Sequence, residues 1–109
     1  MNFHNWRTQV RRGVLDLAVM NLIDGRECHG YDMVRKLKEL EALAVREGNI
    51  YPVLARLQVD GLIAARTLPS TDGPPQKHYR LTKAGQQTLR SMNEHWDELV
   101  DNLHRLRNG

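Results

Sequence analysis

The run from Gly48 to Ile63, GNIYPVLARLQVDGLI, constrains this chain more than any other part of it. Proline has no backbone N–H to donate, so a helix that contains Pro52 must begin within the few residues before it, where N–H groups lack intrahelical partners in any case. The start therefore falls near Glu47 to Asn49. At about 100° per residue, Ile50, Leu54 and Leu57 share one stripe, while Asn49, Pro52, Ala55, Arg56 and Val59 lie on the other side. One face packs and the other stays free. Gly61 tolerates the positive φ that ends a helix, and Leu62-Ile63 then open an extended run.

Residues 5–24 read as a helix, because Leu15, Ala18, Val19, Leu22 and Ile23 recur at helical spacing and Val14, Leu17 and Met20 widen the apolar surface. Gly25 stops it. Gly30 to about Leu40 reads as a second helix with Tyr31, Val34 and Leu37 on one stripe, and Glu41 to Arg46 join it to the Pro52 helix. The pair forms a helix-turn-helix with a long connection. Leu62 to Leu68 and Lys77 to Leu81 are short extended runs separated by Ser70-Thr71-Asp72-Gly73-Pro74-Pro75, a cluster of turn formers, so a β-hairpin follows. A hairpin directly after such a helix is the wing of a winged helix-turn-helix. Thr82 can cap a last helix in which Leu89, Met92, Trp96, Leu99, Leu103 and Leu106 recur at alternating steps of three and four. That seam must be buried, on its own domain or on a partner. The expected fold is mostly α with a small β-hairpin (α+β), divided into a winged helix-turn-helix over 1–82 and a long C-terminal helix over 83–109.

Composition narrows the function. The chain carries 16 Lys and Arg against 13 Asp and Glu, a net charge of +3 that is modest for a nucleic-acid binder, so its distribution has to decide. Residues 61–83 hold four basic side chains, Arg66, Lys77, Arg80 and Lys83, against Asp72 alone. The excess lies on the hairpin. No run approaches the roughly 20 apolar residues needed to span a bilayer. Cys28 is the single cysteine, which excludes an internal disulfide and agrees with a reducing, cytoplasmic setting. No Gly-rich phosphate loop, paired carboxylate or nucleophile with a base is present, so an enzyme is not expected. Cys28 and His29 are adjacent and cannot easily ligate one ion together, and His4, His78, His95 and His104 add no ligand at helical spacing on a shared face except a loose candidate across a dimer. Neither a metal nor a cofactor is expected.

The candidate DNA-binding residues follow from the free helix face and the basic hairpin. Asn49 and Arg56 can pair with adenine and guanine edges, and the Tyr51 hydroxyl can bond a phosphate, although Tyr51 competes for partial burial and Arg56 could pair with a neighbouring acid. Lys77, Arg80 and Arg66 would meet phosphates, with His78 or Gln76 approaching the minor groove. Tyr31 and the backbone N–H groups near Gly30 could hold a further phosphate, though Tyr31 also suits the core.

Gly48-Asn49-Ile50-Tyr51-Pro52, Arg56-Leu57, Asp60-Gly61-Leu62-Ile63, Tyr79-x-Leu81-Thr82-x-x-Gly85 and Trp96, with His29-Gly30-Tyr31 upstream, resemble the PadR family of bacterial transcriptional regulators over nearly the whole chain. The single C-terminal helix resembles the smaller subfamily, whose members are dimers. The resemblance implies a dimeric regulator, expected to be a repressor released by an effector, that binds a pseudo-palindromic operator in double-stranded DNA. It also implies a dimer interface that involves the last helix and the first, with Trp96, Met92, Leu99, Leu103, Trp6 and Val14 as its candidate residues. In a few such relatives paired tryptophans stack on flat aromatic ligands; here Trp96, with Met92 and Val14 or Leu17, either does so or fills the interface. Asn49, Ile50, Gln58 and Gln76 depart from the family pattern and bear on the DNA sequence preferred, not on the fold. Two rivals remain, a winged-helix module that binds protein and a multidrug-type sensor of planar aromatic molecules.

Overall fold

A computed structural model describes residues 1–109. Helix α1 (Phe3–Leu22) leads through a two-residue strand β1 (Cys28–His29) into α2 (Gly30–Lys38). A single 3₁₀ turn at Glu41–Leu43 precedes α3 (Glu47–Val59), and strands β2 (Ile63–Ser70) and β3 (Gly73–Leu81) form the hairpin ahead of α4 (Lys83–Asn108). The sheet order is β1-β3-β2, antiparallel throughout. This is the winged helix-turn-helix expected, with the first helix beginning and ending about two residues earlier than the pattern over 5–24 suggested.

Local chemistry sets each boundary. The Asn2 side chain accepts from the Asn5 N–H at 2.9 Å and starts α1. Gly25 and Gly61 adopt φ of 75° and 74° after α1 and α3, the left-handed geometry that glycine enters without steric cost. In α3 the helix begins at Glu47, so Pro52 sits in the second turn and the Gly48 carbonyl lacks its usual donor. The Thr82 hydroxyl caps α4 by accepting from the Gly85 N–H at 3.0 Å, and it donates to the Gly61 carbonyl at 2.7 Å. One hydroxyl thus joins the end of α3 to the start of α4.

The hairpin is longer than the sequence pattern indicates, because Pro74 and Pro75 lie inside β3 rather than in the turn. They are tolerated there because β1 reaches only Tyr79 and His78, leaving the tip of β3 with β2 as its sole neighbour. A register shift between Leu68 and Ser70 sets Pro69 against the two prolines and reduces the turn to Thr71-Asp72.

The core is one cluster. Leu15, Leu17, Val19 and Met20 of α1 meet Met33, Val34 and Leu37 of α2, Ile50, Val53, Leu54 and Leu57 of α3, and Ile63, Tyr79 and Leu81 of the sheet. Leu89 joins it from α4, and Met92 and Trp96 pack on its edge. Beyond that point the seam of α4 is uncovered: Leu99, Leu103 and Leu106 are exposed, as are Phe3, Trp6 and Val10 of α1. A 26-residue helix runs about 39 Å, which accounts for much of the 56 Å long axis.

Candidate nucleic-acid interface

Helix α3 buries Ile50, Val53, Leu54 and Leu57 and leaves Tyr51, Pro52, Ala55, Arg56, Gln58 and Val59 exposed, as a helix half-sunk in a core must. Val53 is the one member of the packed stripe that the sequence pattern missed. Asn49 is partly covered, and its Oδ1 accepts from the Arg46 N–H at 3.1 Å, which holds the first turn of α3. Its amide N–H groups take no part in that bond.

Tyr51 lies over the start of α2. A methyl group at Gly30 would sit 3.5 Å from the Tyr51 ring and 3.3 Å from the Tyr79 ring, so the glycine lets two tyrosines close over one helix end. Tyr79 is buried, and burial together with the neighbouring Tyr51 raises its phenol above the ordinary range. Tyr31 is 58% exposed. The core position open to it in the sequence is taken instead by Met33, Val34 and Leu37, which put Tyr31 on the solvent side of α2.

The hairpin sorts its residues by face. Tyr79 and Leu81 point to the core, while His78 and Arg80 alternate with them. Lys77 is exposed opposite Thr67, nearer the tip than any other basic residue of the hairpin. His78 pairs across the sheet with both Arg66 and His29, and the two imidazole rings stand 5.4 Å apart. Arg66 is already engaged: its Nε and Nη2 donate to the two carboxylate oxygens of Glu27 at 2.7 and 2.8 Å. That bidentate pair holds the Glu27 carboxyl below its ordinary range and raises the Arg66 guanidinium. Arg80 lies at the base of the wing, where it lines a shallow cleft with Arg26, Glu27, Arg66 and Gln86. Arg56 pairs with Asp16 of α1. The structure thus takes up the neighbouring-acid alternative for Arg56, and it supplies Glu27 and Asp16 as partners that periodicity could not identify.

On the opposite side, Trp6, Val14, Met92, Trp96, Leu99 and Leu103 all line one apolar cleft of about 610 Å³ between α1 and α4. Gln9, Val10, Gly13 and Leu17 complete its α1 wall, and the spacing of Val10 and Gly13 with Trp6 and Val14 was the signal that could have found those two. Cys28 is buried, and burial pushes its thiol up. No three His, Cys, Asp or Glu side chains gather closely enough to hold a metal ion. No helix is long and apolar enough to cross a membrane.

A sequence model described as the transcriptional regulator PadR-like family matches residues 19–91. A PadR-like transcriptional regulator from Bacillus cereus is 32% identical, with a TM-score of 0.82 over 93% of this chain and 98% of that one. Bacillus subtilis PadR, solved in complex with operator DNA, is 32% identical with a TM-score of 0.65, over 72% of this chain and 46% of that one. Among curated proteins, the negative transcriptional regulator PadR of Bacillus subtilis is 33% identical over 78 residues, 70% of this chain and 43% of its own length. The chain therefore spans less than half of that protein.

Proposed function

Since the chain belongs to the PadR-like family of transcriptional regulators, whose members are not enzymes, we propose that it binds operator DNA as a homodimer and represses the genes beside it. In this reading residues 1–82 form the DNA-binding unit and 83–109 the dimerisation helix, and the protein works in the cytoplasm. Two α3 helices about 34 Å apart would enter successive major grooves of a pseudo-palindromic site. Asn49 and Tyr51 would contact the duplex from α3, with Tyr31 and the start of α2 against a phosphate. Lys77 would track the backbone beside the groove, with His78 behind it. Arg66 and Arg80 would add phosphate contacts at the base of the wing only where Arg66 leaves Glu27. The observation that supports this reading is the exposed face of α3, with Tyr51 beside the start of α2 and the exposed Lys77 on the hairpin that follows α3.

Dimerisation is argued from the uncovered seam. Leu103 is 52% and Trp6 49% exposed on facing helices, and a monomer gains nothing from leaving such a cleft open to water. A second copy would cover it. A flat aromatic effector could stack on Trp96 in the same place, and it would regulate only by favouring one separation of the α3 helices over another. Repression and release remain part of this proposal.

The test is binding of the purified protein to the duplex upstream of its own reading frame across a salt series, with scrambled duplex as competitor. Saturable, competitor-resistant binding that weakens steeply with salt is expected. Removal by scrambled duplex at equal concentration would transfer the exposed α3 face to a protein partner.

A further inference from the structure

Helix α1 makes two polar contacts toward α3, one to the connection before it and one to the helix itself. The Arg11 Nη1 donates to the Ala44 carbonyl at 2.8 Å in a partly buried setting. Ala44 carries the only left-handed non-glycine backbone in the chain, at φ 51° and ψ 43°, and it lies three residues before α3 begins. Asp16 accepts from Arg56 in the third turn of α3. On a helical projection Arg11 and Asp16 flank the core-facing stripe of Leu15, Val19 and Ile23, one on each side, whereas Trp6, Val14 and Leu17 of the apolar cleft lie around the back. α1 therefore faces the cleft with one side, and with the other it holds the connection that enters the recognition helix and the third turn of that helix.

We propose that Arg11 and Asp16 are positioning residues for operator recognition: they make α3 turn with α1, so that whatever seats in the α1–α4 cleft sets the angle of the recognition helix. This deepens the duplex-binding reading and rests on it. It also gives the exposed Arg56 guanidinium a partner on α1 rather than a base edge. Coupling of this kind can travel through rigid elements and hydrogen-bonded contacts between two sites, and here these are one helix and two contacts.

The decisive substitution is Asp16→Asn, because the two readings of Arg56 predict opposite signs. If Arg56 contacts DNA, loss of the Asp16 carboxylate frees the guanidinium and removes a negative charge, and affinity for the polyanion rises. If Asp16 positions α3, affinity falls by about 2- to 30-fold. The probe is the duplex that the unaltered chain enriches from a random pool. The double variant Asp16→Asn with Arg56→Gln should then bind no more weakly than the worse single variant, within about twofold. Unchanged or tighter binding of Asp16→Asn overturns the proposal.

Amide hydrogen exchange on the free protein gives a reading that does not need DNA. Arg11→Ala should speed exchange by about tenfold over residues 45–50, and Arg11→Lys, which keeps a donor, by less. Exchange left unchanged by Arg11→Ala refutes the tie. Failure of the unaltered chain to enrich any duplex would instead count against the duplex-binding reading, with the exchange rates still deciding whether α1 holds α3.

Discussion

Replacing Gly85 by alanine should destabilise this protein, although helix propensity alone argues the reverse. Gly85 lies in the first turn of α4 and is buried against the end of the α3–β2 connection. A methyl group there would stand 1.9 Å from the Leu62 carbonyl oxygen, 2.9 Å from its carbon and 3.3 Å from its Cα. All three are backbone atoms, so no side chain can swing aside, and the helix must withdraw by about 1 Å or more to reach ordinary contact. That same carbonyl accepts the Thr82 N–H at 3.1 Å, and Thr82 in turn holds the Gly61 carbonyl and the Gly85 N–H. Overpacking costs about 1–3 kcal/mol. Two weakened hydrogen bonds add about 1–3 kcal/mol, and the alanine returns about 1 kcal/mol of helix propensity. The net loss is roughly 1–5 kcal/mol, which for a chain of this length lowers the unfolding midpoint by at least about 4 °C. Thermal melts followed by circular dichroism, at one fixed protein concentration because a dimer's midpoint depends on it, measure this directly. Gly48→Ala is the control: nothing lies within 4 Å of a methyl group at that position in α3, so its midpoint should stay or rise. A Gly85→Ala protein that melts at or above the unaltered chain would refute the close approach of α4 to Leu62.

Three further outcomes follow from the geometry. Lys77→Ala should weaken duplex binding similarly across sequences and reduce the magnitude of the log–log salt slope by about one, measured by fluorescence anisotropy; an unchanged slope would take Lys77 off the phosphate backbone. Because Arg66 holds the Glu27 carboxyl low in the folded protein, the stabilisation from that pair is complete above the ordinary glutamate range and is lost as pH falls through the lowered value. The urea midpoints of the unaltered chain and Glu27→Gln should accordingly converge as the solution is acidified, and a gap that widens would reverse the sign. Burial that raises the Cys28 thiol should make its modification by a disulfide reagent track global unfolding in a denaturant titration, and rapid labelling of the folded protein would contradict it.

Short-range chemistry made much of this fold legible in the sequence. Pro52 and Gly61 bracket α3 because each acts through its own backbone, and Thr82 caps α4 through a contact three residues away. The six apolar residues assigned to the dimer interface meet in one cleft because helical periodicity carries through both α1 and α4. What the pattern hid was long-range. Strand β1 is two residues long and exists only because β3 lies alongside it. Pro74 and Pro75 read as turn formers and become strand residues at an unpaired edge. Partners such as Glu27 for Arg66 and Asp16 for Arg56 are about forty positions away in the chain, where spacing carries no information. The exposure of Tyr31 was similarly decided by which of its neighbours the core accepted.

The central claim is that two copies of α3 read two halves of one site, and the measurement that tests it most directly is selection of duplexes from a random-sequence pool by the purified chain. An enriched inverted repeat is expected, with half-sites centred about one helical turn apart, roughly 10 base pairs. Enrichment of a single unrepeated element, or no enrichment over the starting pool, would contradict it.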